Sequence, residues 1–445
     1  MTAARVSGGW MLRHAHRMRS DPLGFLVDCA AEQGDLVEFP IPRQRVFYVN
    51  DAQAVARILQ GNHRAYGKDT LQYRSLSVVT GQGLLVSEGQ TWLRGRRMVQ
   101  PAFHHSTLQA LGGQVAAAAS RLLVTWDDLP DGHTVDVDAA MMHVTLDVVA
   151  QALFSTDLGS SAAELVSAVV AALDQVARRA RSPLPVPLGW PSPGNLRLRS
   201  ALATLDARVE AMVAAHRRLP DQGHDLLGLL LAAASAEPPG RHREQQVHDQ
   251  VVTLIVAGHE TVASALAWAW WLVAGDRQVA RRLAEESRAV LGGQAATVEH
   301  YPRLVYTRAV LDEALRLYPP AWLVTRRVLA DDVLADQPVP AGSLVIVPPY
   351  ALHRSPRLWP EPDVFDPGRF VAGAEPLPPH GYLPFGAGPR MCVGREFALV
   401  EGVLLLAAVA GRFTLTRRPG QRVVADPSVT VRPKGGLRLV LGRAG

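Results

Sequence analysis

Cysteine, lysine and aromatic residues are all scarce in this chain. Two cysteines in 445 residues, Cys29 and Cys392, cannot build a disulfide framework, and a chain of this length needs none. A reducing cytoplasm is the expected location. Only Lys68 and Lys434 occur, so arginine supplies nearly all of the 46 basic residues set against 41 acidic ones. The resulting net charge of +5, spread over so large a surface, gives no reason to expect nucleic acid as a partner. The first twenty residues carry Arg5, His14, Arg17 and Arg19 without an apolar run, so neither a signal peptide nor a spanning anchor is expected. A substrate dissolved in membranes would then be reached by peripheral contact with their surface. With 48% hydrophobic and 20% charged residues, disorder and collagen-like repeats are excluded.

What remains is a globular chain of mainly α character with small β sheets near both ends, read as one domain over residues 1–445. The runs "DLVEFPI" and "RVFYVN" alternate and are rich in β-branched residues, which predicts two early strands. Helical spacing dominates from Trp92 onward, in "QALGGQVAAAASRLLVTW" and "VDAAMMHVTLDVVAQALF" among others. A Pro- and Gly-rich break at residues 181–195 predicts a long surface loop, more often a lid or wall than a linker. Residues 243–274 read as one helix of roughly 45 Å, apolar on nearly all faces and therefore carried through a core. Gly258, His259 and Glu260 interrupt any membrane-spanning reading of it. Further helices are expected from residue 303 to 318 and from about Arg395, separated by short strands and a Pro-rich irregular stretch over 356–384.

The most specific segment is "PFGAGPRMCVGREFALVEG", where Cys392 sits in a glycine-rich loop just before a helix. Gly386, Gly388 and Gly394 permit tight turns and close backbone approach, and a helix starting at Gly394 aims N–H groups and a positive dipole end at the sulfur. Such a setting stabilises a thiolate. Taken alone, a single cysteine is usually an inert structural one. Here Phe385, Gly388, Arg390, Cys392 and Gly394 meet the pattern Phe-x-x-Gly-x-Arg-x-Cys-x-Gly, five fixed positions in ten residues.

On this segment the chain resembles the cytochrome P450 family, in which a cysteine thiolate is the proximal ligand of haem iron. The resemblance implies that fold, with haem b between the long central helix and the Cys392 loop. It extends to Ala257, Gly258, His259, Glu260 and Thr261, which match the family's Ala-Gly-x-(Asp/Glu)-Thr. There Ala257 and Gly258 leave room over the haem, while Glu260 and Thr261 supply a carboxylate and a hydroxyl for proton relay. His259 is the weaker case, equally consistent with an outward position. Glu313 and Arg316 match Glu-x-x-Arg, three apart on one helix face. The resemblance makes them a buried structural lock, joined by Arg369 from "FDPGRF". Haem propionates call for cations or N–H donors. Trp92 and Arg96 match the family's Trp-x-x-x-Arg, Arg390 is a second cation, and one of Arg326 and Arg327 a third. The tryptophan at 92 places the chain with the Trp-using branch rather than the many bacterial members that have histidine there.

The same resemblance implies a monooxygenase. Its electrons would come from NAD(P)H through a separate ferredoxin or flavodoxin and its reductase, docking near Arg94, Arg97 and Arg395. Segments expected to line the pocket include Leu71, Tyr73, Leu76, Ile255, Trp322 and Leu323, with no charged anchor, so a large apolar substrate is expected. The runs "QYRSLSVVTGQGLL", "VAGHETVASALAW", "EALRLYPPAWLVTRR" and "FALVEG" resemble the soluble bacterial carotenoid hydroxylases of the family. They imply hydroxylation of a β-ionone ring, at C-3 or C-2, of a carotenoid such as β-carotene. An apolar pocket would equally accept a terpene, a fatty acid or a polyketide-type intermediate. A haem-thiolate peroxygenase or isomerase, or a non-catalytic haem or terpenoid carrier, fits less well with an intact Glu260–Thr261 pair.

Overall fold

The alternating runs near the N-terminus do form strands, and they are the nucleus of a mixed sheet. The computed structural model describes residues 4–103, 105–155, 162–181, 186–218, 225–235 and 240–443. Four residues of the Pro-rich break, 182–185, lie outside them. The chain divides into two compact units, Met1–Arg74 with Leu315–Cys392, and Ser75–Ala314 with Val393–Gly445.

In the first unit six strands hydrogen-bond in the order Ala4–Arg5, Leu36–Phe39, Val46–Val49, Leu344–Val347, Val324–Val328, Tyr66–Gly67. Leu36–Phe39 and Val46–Val49 pair antiparallel, with Leu36 opposite Val49 and Phe39 opposite Val46. Val46–Val49 is buried at every position, as expected of a strand covered on both faces. The helix Pro22–Gln33 starts where Asp21 accepts from the Gly24 N–H and proline occupies the first turn. It buries Leu23, Phe25, Leu26 and Cys29. Phe25, Phe39 and Tyr48 form a chain of ring contacts beneath it, and the Tyr48 hydroxyl donates to the Leu26 carbonyl at 2.7 Å. Burial pushes the Cys29 thiol up to about 12, so it is an inert core residue.

The second unit is built on the helix Arg241–Val273, whose 33 residues span about 50 Å. It packs against the helices Val137–Phe154 and Arg395–Ala410. Trp268 and Trp270 are among the largest fully buried side chains of the molecule. Both Val137–Phe154 and Arg243–Val273 are long and apolar enough to cross a membrane, yet 67% and 83% of their apolar windows are buried inside the protein. They are core helices. The helix Val137–Phe154 begins where Asp136 accepts from the Ala139 N–H and ends at Ser155, in the left-handed region at φ 47°. A three-stranded antiparallel sheet, Phe413–Thr416, Arg438–Arg443 and Thr134–Asp136, and a hairpin of Ala425–Pro427 with Val431–Pro433 complete this unit.

One buried carboxylate holds three segments of the first unit together. Asp332 accepts from Arg57 Nη2 at 2.6 Å, Tyr66 OH at 2.7 Å, Asn62 Nδ2 at 2.9 Å and the Val333 N–H at 2.8 Å. Burial alone would raise its pKa, but these donors more than offset it and hold the group at about 2, below the ordinary 3.8. A depressed carboxyl contributes stability that is present above 3.8 and lost as pH falls through about 2. Asp332→Asn should therefore cost about 2 kcal/mol in chemical denaturation at neutral pH, with the gap to the parent closing toward pH 2. A loss that does not depend on pH would show that shape, rather than charge, holds the junction.

Candidate active site

The Cys392 loop belongs to the first unit and is shaped by its glycines. Gly386 and Gly388 have φ of 70° and 68°, in the left-handed region that side-chain-bearing residues avoid. A Cβ on Gly388 would lie 2.0 Å from the Leu59 carbonyl oxygen, whereas one on Gly386 would meet nothing within 4 Å. The Cys392 N–H donates to the Phe385 carbonyl at 3.0 Å, which closes the loop and leaves the thiol exposed. Two residues on, Gly394 caps the helix Arg395–Ala410, so a sulfur ligand and a helix N-terminus come together from sequence proximity alone. Arg390 is half-buried.

The segment leading into this loop is held by a buried arginine. Arg316, on the helix Val305–Leu317, donates to the carbonyls of His353 at 2.8 Å, Pro362 at 2.7 Å and Val364 at 3.1 Å, and lies 5.1 Å over the Trp359 ring. Arg369 donates to the neighbouring Glu361 carbonyl at 3.1 Å. Glu313 is fully buried one turn before Arg316. His353, which spacing did not single out, is the link to the loop. Its Nε2 accepts from the Leu383 N–H at 2.8 Å, and the Leu383 carbonyl accepts from the Gly386 N–H. Burial lowers its pKa to about 3, so the imidazole is neutral and can accept. A lone histidine in "YALHRSP" carries no periodic signal, which is why only the fold exposes this role.

Of the adjacent arginines, Arg326 is buried and Arg327 half-buried. Arg326 Nη1 donates to the Tyr73 hydroxyl at 2.8 Å and to the Thr325 carbonyl at 2.9 Å. Tyr73 and Leu76 are buried, but Leu71 is 63% exposed at the start of its helix. Trp322 and Leu323 are half-buried against the core around Trp10, Phe25 and Tyr48. Trp92 and Arg96 are half-buried four apart on the helix Gly89–Val99, which also carries the exposed Arg94 and Arg97. Arg395 pairs with Glu396 at 3.2 Å.

The long helix has one stripe that is only half-buried. From Asp249 to Trp270 every residue is buried except Ala257, Gly258 and Thr261, which lie side by side on one face. The Thr261 hydroxyl donates to the Ala257 carbonyl at 2.8 Å, which leaves its oxygen free to accept on that open side. Ile255, expected to line the pocket, is 1% exposed and does not belong to the stripe. Two positions along a helix turn a side chain by about 200°, so Ile255 faces the core when Ala257 faces out. His259 is fully buried rather than outward. Its Nδ1 lies 2.7 Å from the Ile255 carbonyl, and burial lowers its pKa to about 4. Glu260 is buried as well, and its Oε1 accepts from the Thr430 hydroxyl at 2.8 Å. Burial pushes the Glu260 carboxyl up to about 7, against the opposing pull of Thr430 and Arg432. Nothing in the sequence marks Thr430 as its partner, 170 residues away.

The cytochrome P450 family model matches residues 7–439. The chain belongs to the cytochrome P450 family. It is 36% identical over 430 residues to cyclooctatin synthase of Streptomyces melanosporofaciens, covering 96% of this chain and 92% of that one. It is 34% identical to cyclooctat-9-en-7-ol 5-monooxygenase of the same organism, covering 92% and 88%. The crystal structure of CYP175A1 from Thermus thermophilus superposes with a TM-score of 0.79 at 30% identity, covering 99% of this chain and all of that one. This is a cytochrome P450 monooxygenase with the P450 fold. Its family implies a haem with a thiolate ligand and electrons from outside the chain. The cysteine loop fits such a group, with an exposed thiol in a loop whose tight turns are supplied by glycines in the left-handed region.

Alanine at the two glycines should separate conformational strain from collision. Gly386→Ala is expected to cost about 1 kcal/mol, for the left-handed backbone alone. Gly388→Ala should cost roughly 3 kcal/mol, because the Leu59 backbone cannot give way. Equal losses in denaturant titrations of the two variants would contradict this reading of the loop.

Proposed function

We propose that this cytochrome P450 hydroxylates an unactivated C–H bond of a terpenoid, with a cyclic terpene skeleton as the first candidate and the β-ring carotenoid as the second. The observation that carries the terpene reading is the likeness to enzymes named for such molecules. Cyclooctatin synthase and cyclooctat-9-en-7-ol 5-monooxygenase are joined by pentalenene oxygenase of Streptomyces avermitilis, 31% identical and covering 94% of this chain. The carotenoid reading is supported by the motif runs and by 30% identity to protein LUTEIN DEFICIENT 5 of Arabidopsis thaliana, over 88% of this chain.

Bound haem thiolate supplies the reduction of dioxygen by two electrons and two protons, placing one oxygen atom in the C–H bond and the other in water. Cys392 is the residue we assign to the iron, and Phe385 and Gly394 shape its loop. Arg96, Arg326 and Arg390, with Trp92, are assigned to the propionates. Arg326 is the buried member of its pair, so it rather than Arg327 takes that role. Ala257 and Gly258 give space on the oxygen side, and Thr261 presents a hydroxyl there. Glu260, the residue before Thr261, is assigned the proton to be delivered. Glu313, Arg316 and Arg369 lock the segment that precedes the loop. Tyr73, Leu76, Trp322 and Leu323 supply apolar surface for the substrate. Electrons come from a ferredoxin or flavodoxin with its NAD(P)H-dependent reductase, and the exposed Arg94 and Arg97 suit an acidic partner. Such a protein works in the cytoplasm.

Cys392→Ser should abolish the thiolate-type absorbance band of the carbon monoxide complex, and its persistence would remove Cys392 from the iron. Titration of the haem protein with a polycyclic terpene, β-carotene and a fatty acid should give a saturable shift of the haem absorbance with the terpene. A shift with β-carotene alone would move the assignment to the carotenoid, and one with the fatty acid alone would discard both terpenoid readings.

A further inference from the structure

The cysteine loop closes against a turn of uncommon shape. The helix Ala52–Ala56 widens at its end into a single π turn, Arg57–Gly61, where the Asn62 N–H reaches back five residues to the Arg57 carbonyl at 2.7 Å. Such turns are rare, occur mostly singly and are frequent at functional sites. Ile58 and Leu59 are buried in one core cluster with Leu383 and Ala387, which lie in the segment before Cys392. The backbone of the π turn packs against the turn Gly388–Arg390, and its Leu59 carbonyl and Gln60 Cα occupy the space that a side chain on Gly388 would need. The π turn is thus the seat of the loop.

Both ends of that turn are tied to one carboxylate. Asp332 Oδ1 accepts from Arg57 Nη2 at 2.6 Å and Nε at 3.0 Å, while Oδ2 accepts from Asn62 Nδ2 at 2.9 Å. Arg57 is the first residue of the turn and Asn62 the one after its last, so the two oxygens bridge it end to end. The bridge stands on a rooted support. Asp332–Leu334 pairs antiparallel with Gln337–Val339, and Leu334 and Val339 are fully buried in the same core cluster as Leu59 and Ala387. All of these residues belong to the first unit. Apolar side chains of similar volume often serve stability as well as a buried ion pair does, so packing alone gives no reason for a buried carboxylate here. Charge-assisted hydrogen bonds add geometric specificity, which is what a turn held in one shape requires.

We propose that Asp332 is a positioning residue for Cys392: by bridging Arg57 and Asn62 it fixes the π turn, and the π turn seats the cysteine loop so that the thiol is presented to the iron in one place. The inference rests on the assignment of Cys392 to the iron and is independent of the substrate. The chain of contacts runs from Asp332 through Arg57 and Asn62 to Leu59, and reaches the loop at Gly388, four residues before the sulfur.

Release of the sulfur distinguishes positioning from scaffolding. In the haem-loaded protein Cys29 is enclosed and Cys392 is shielded while it is bound, so alkylation by iodoacetamide, located by peptide mass spectrometry, reports how often Cys392 lets go. Asp332→Asn and Asn62→Ala should each speed labelling of Cys392 by about tenfold, because hydrogen bonds to a charged group are lost, and should weaken the thiolate-type band of the carbon monoxide complex. Asn62→Ala removes a single bond, and so provides the test even where Asp332→Asn does not fold. Tyr66→Phe deletes a bond to the same carboxylate from a strand outside the turn, and should lower stability without speeding the labelling. Arg57→Lys, which keeps a cation, should restore part of what Arg57→Leu loses. Gly388→Ala should cost less in the Asn62→Ala background than in the parent, since an untied turn yields to the added methyl group. Unchanged labelling in Asn62→Ala, equal acceleration in Tyr66→Phe, or additive costs in the double variant would overturn the inference. Fast labelling of Cys392 in the parent would overturn the assignment of Cys392 to the iron itself, whereas slow labelling in the parent and in every variant would leave that assignment standing and remove only the role of Asp332.

Discussion

Everything at the site depends on one helix being buried almost all the way round. A helix in the core satisfies its own backbone, so its side chains decide what may surround it, and here they are mainly alanine, valine, leucine and tryptophan. The exceptions become conspicuous. Where Ala257, Gly258 and Thr261 coincide, the covering thins; where Glu260, Ser264 and Trp268 coincide, another segment supplies hydrogen-bond partners. The helix thus carries a half-buried stripe and a polar seam side by side.

The same logic governs the cysteine loop. Cys29 and Cys392 are chemically identical, but one is enclosed and held as a thiol while the other is left exposed. Gly388 must have no side chain because the Leu59 carbonyl occupies its place. The neutral His353 relays the hold of Arg316 to Leu383 and so to the start of the loop.

Much of this was legible beforehand because it is local. The cysteine loop, the Ala-Gly-His-Glu-Thr run and Glu-x-x-Arg are each within ten residues, and the helices that carry them fall within a residue or two of their expected bounds. The structure departs from expectation where the answer depends on helical phase or on distant partners. Ile255 and Ala257 are two positions apart, and only packing shows which of them faces an open side. His259 could be read outward because periodicity says little on a helix that is apolar on most faces. Leu71 sits at a helix start, where exposure is set by what the fold places beside it.

The sequence by itself determined the family, the haem-thiolate chemistry that the family implies, and the run that sets Glu260 next to Thr261, since covalent spacing alone brings these groups together. Tertiary structure decided what environment each of them meets. Thr430 reaches Glu260 from 170 residues away, Arg432 and Asp138 act on it electrostatically from the same hairpin and from another helix, and His353 joins Arg316 to Leu383 across three segments. Solvation and hydrogen bonding set the protonation state of a carboxyl, and both are properties of the space around it rather than of its neighbours in the chain.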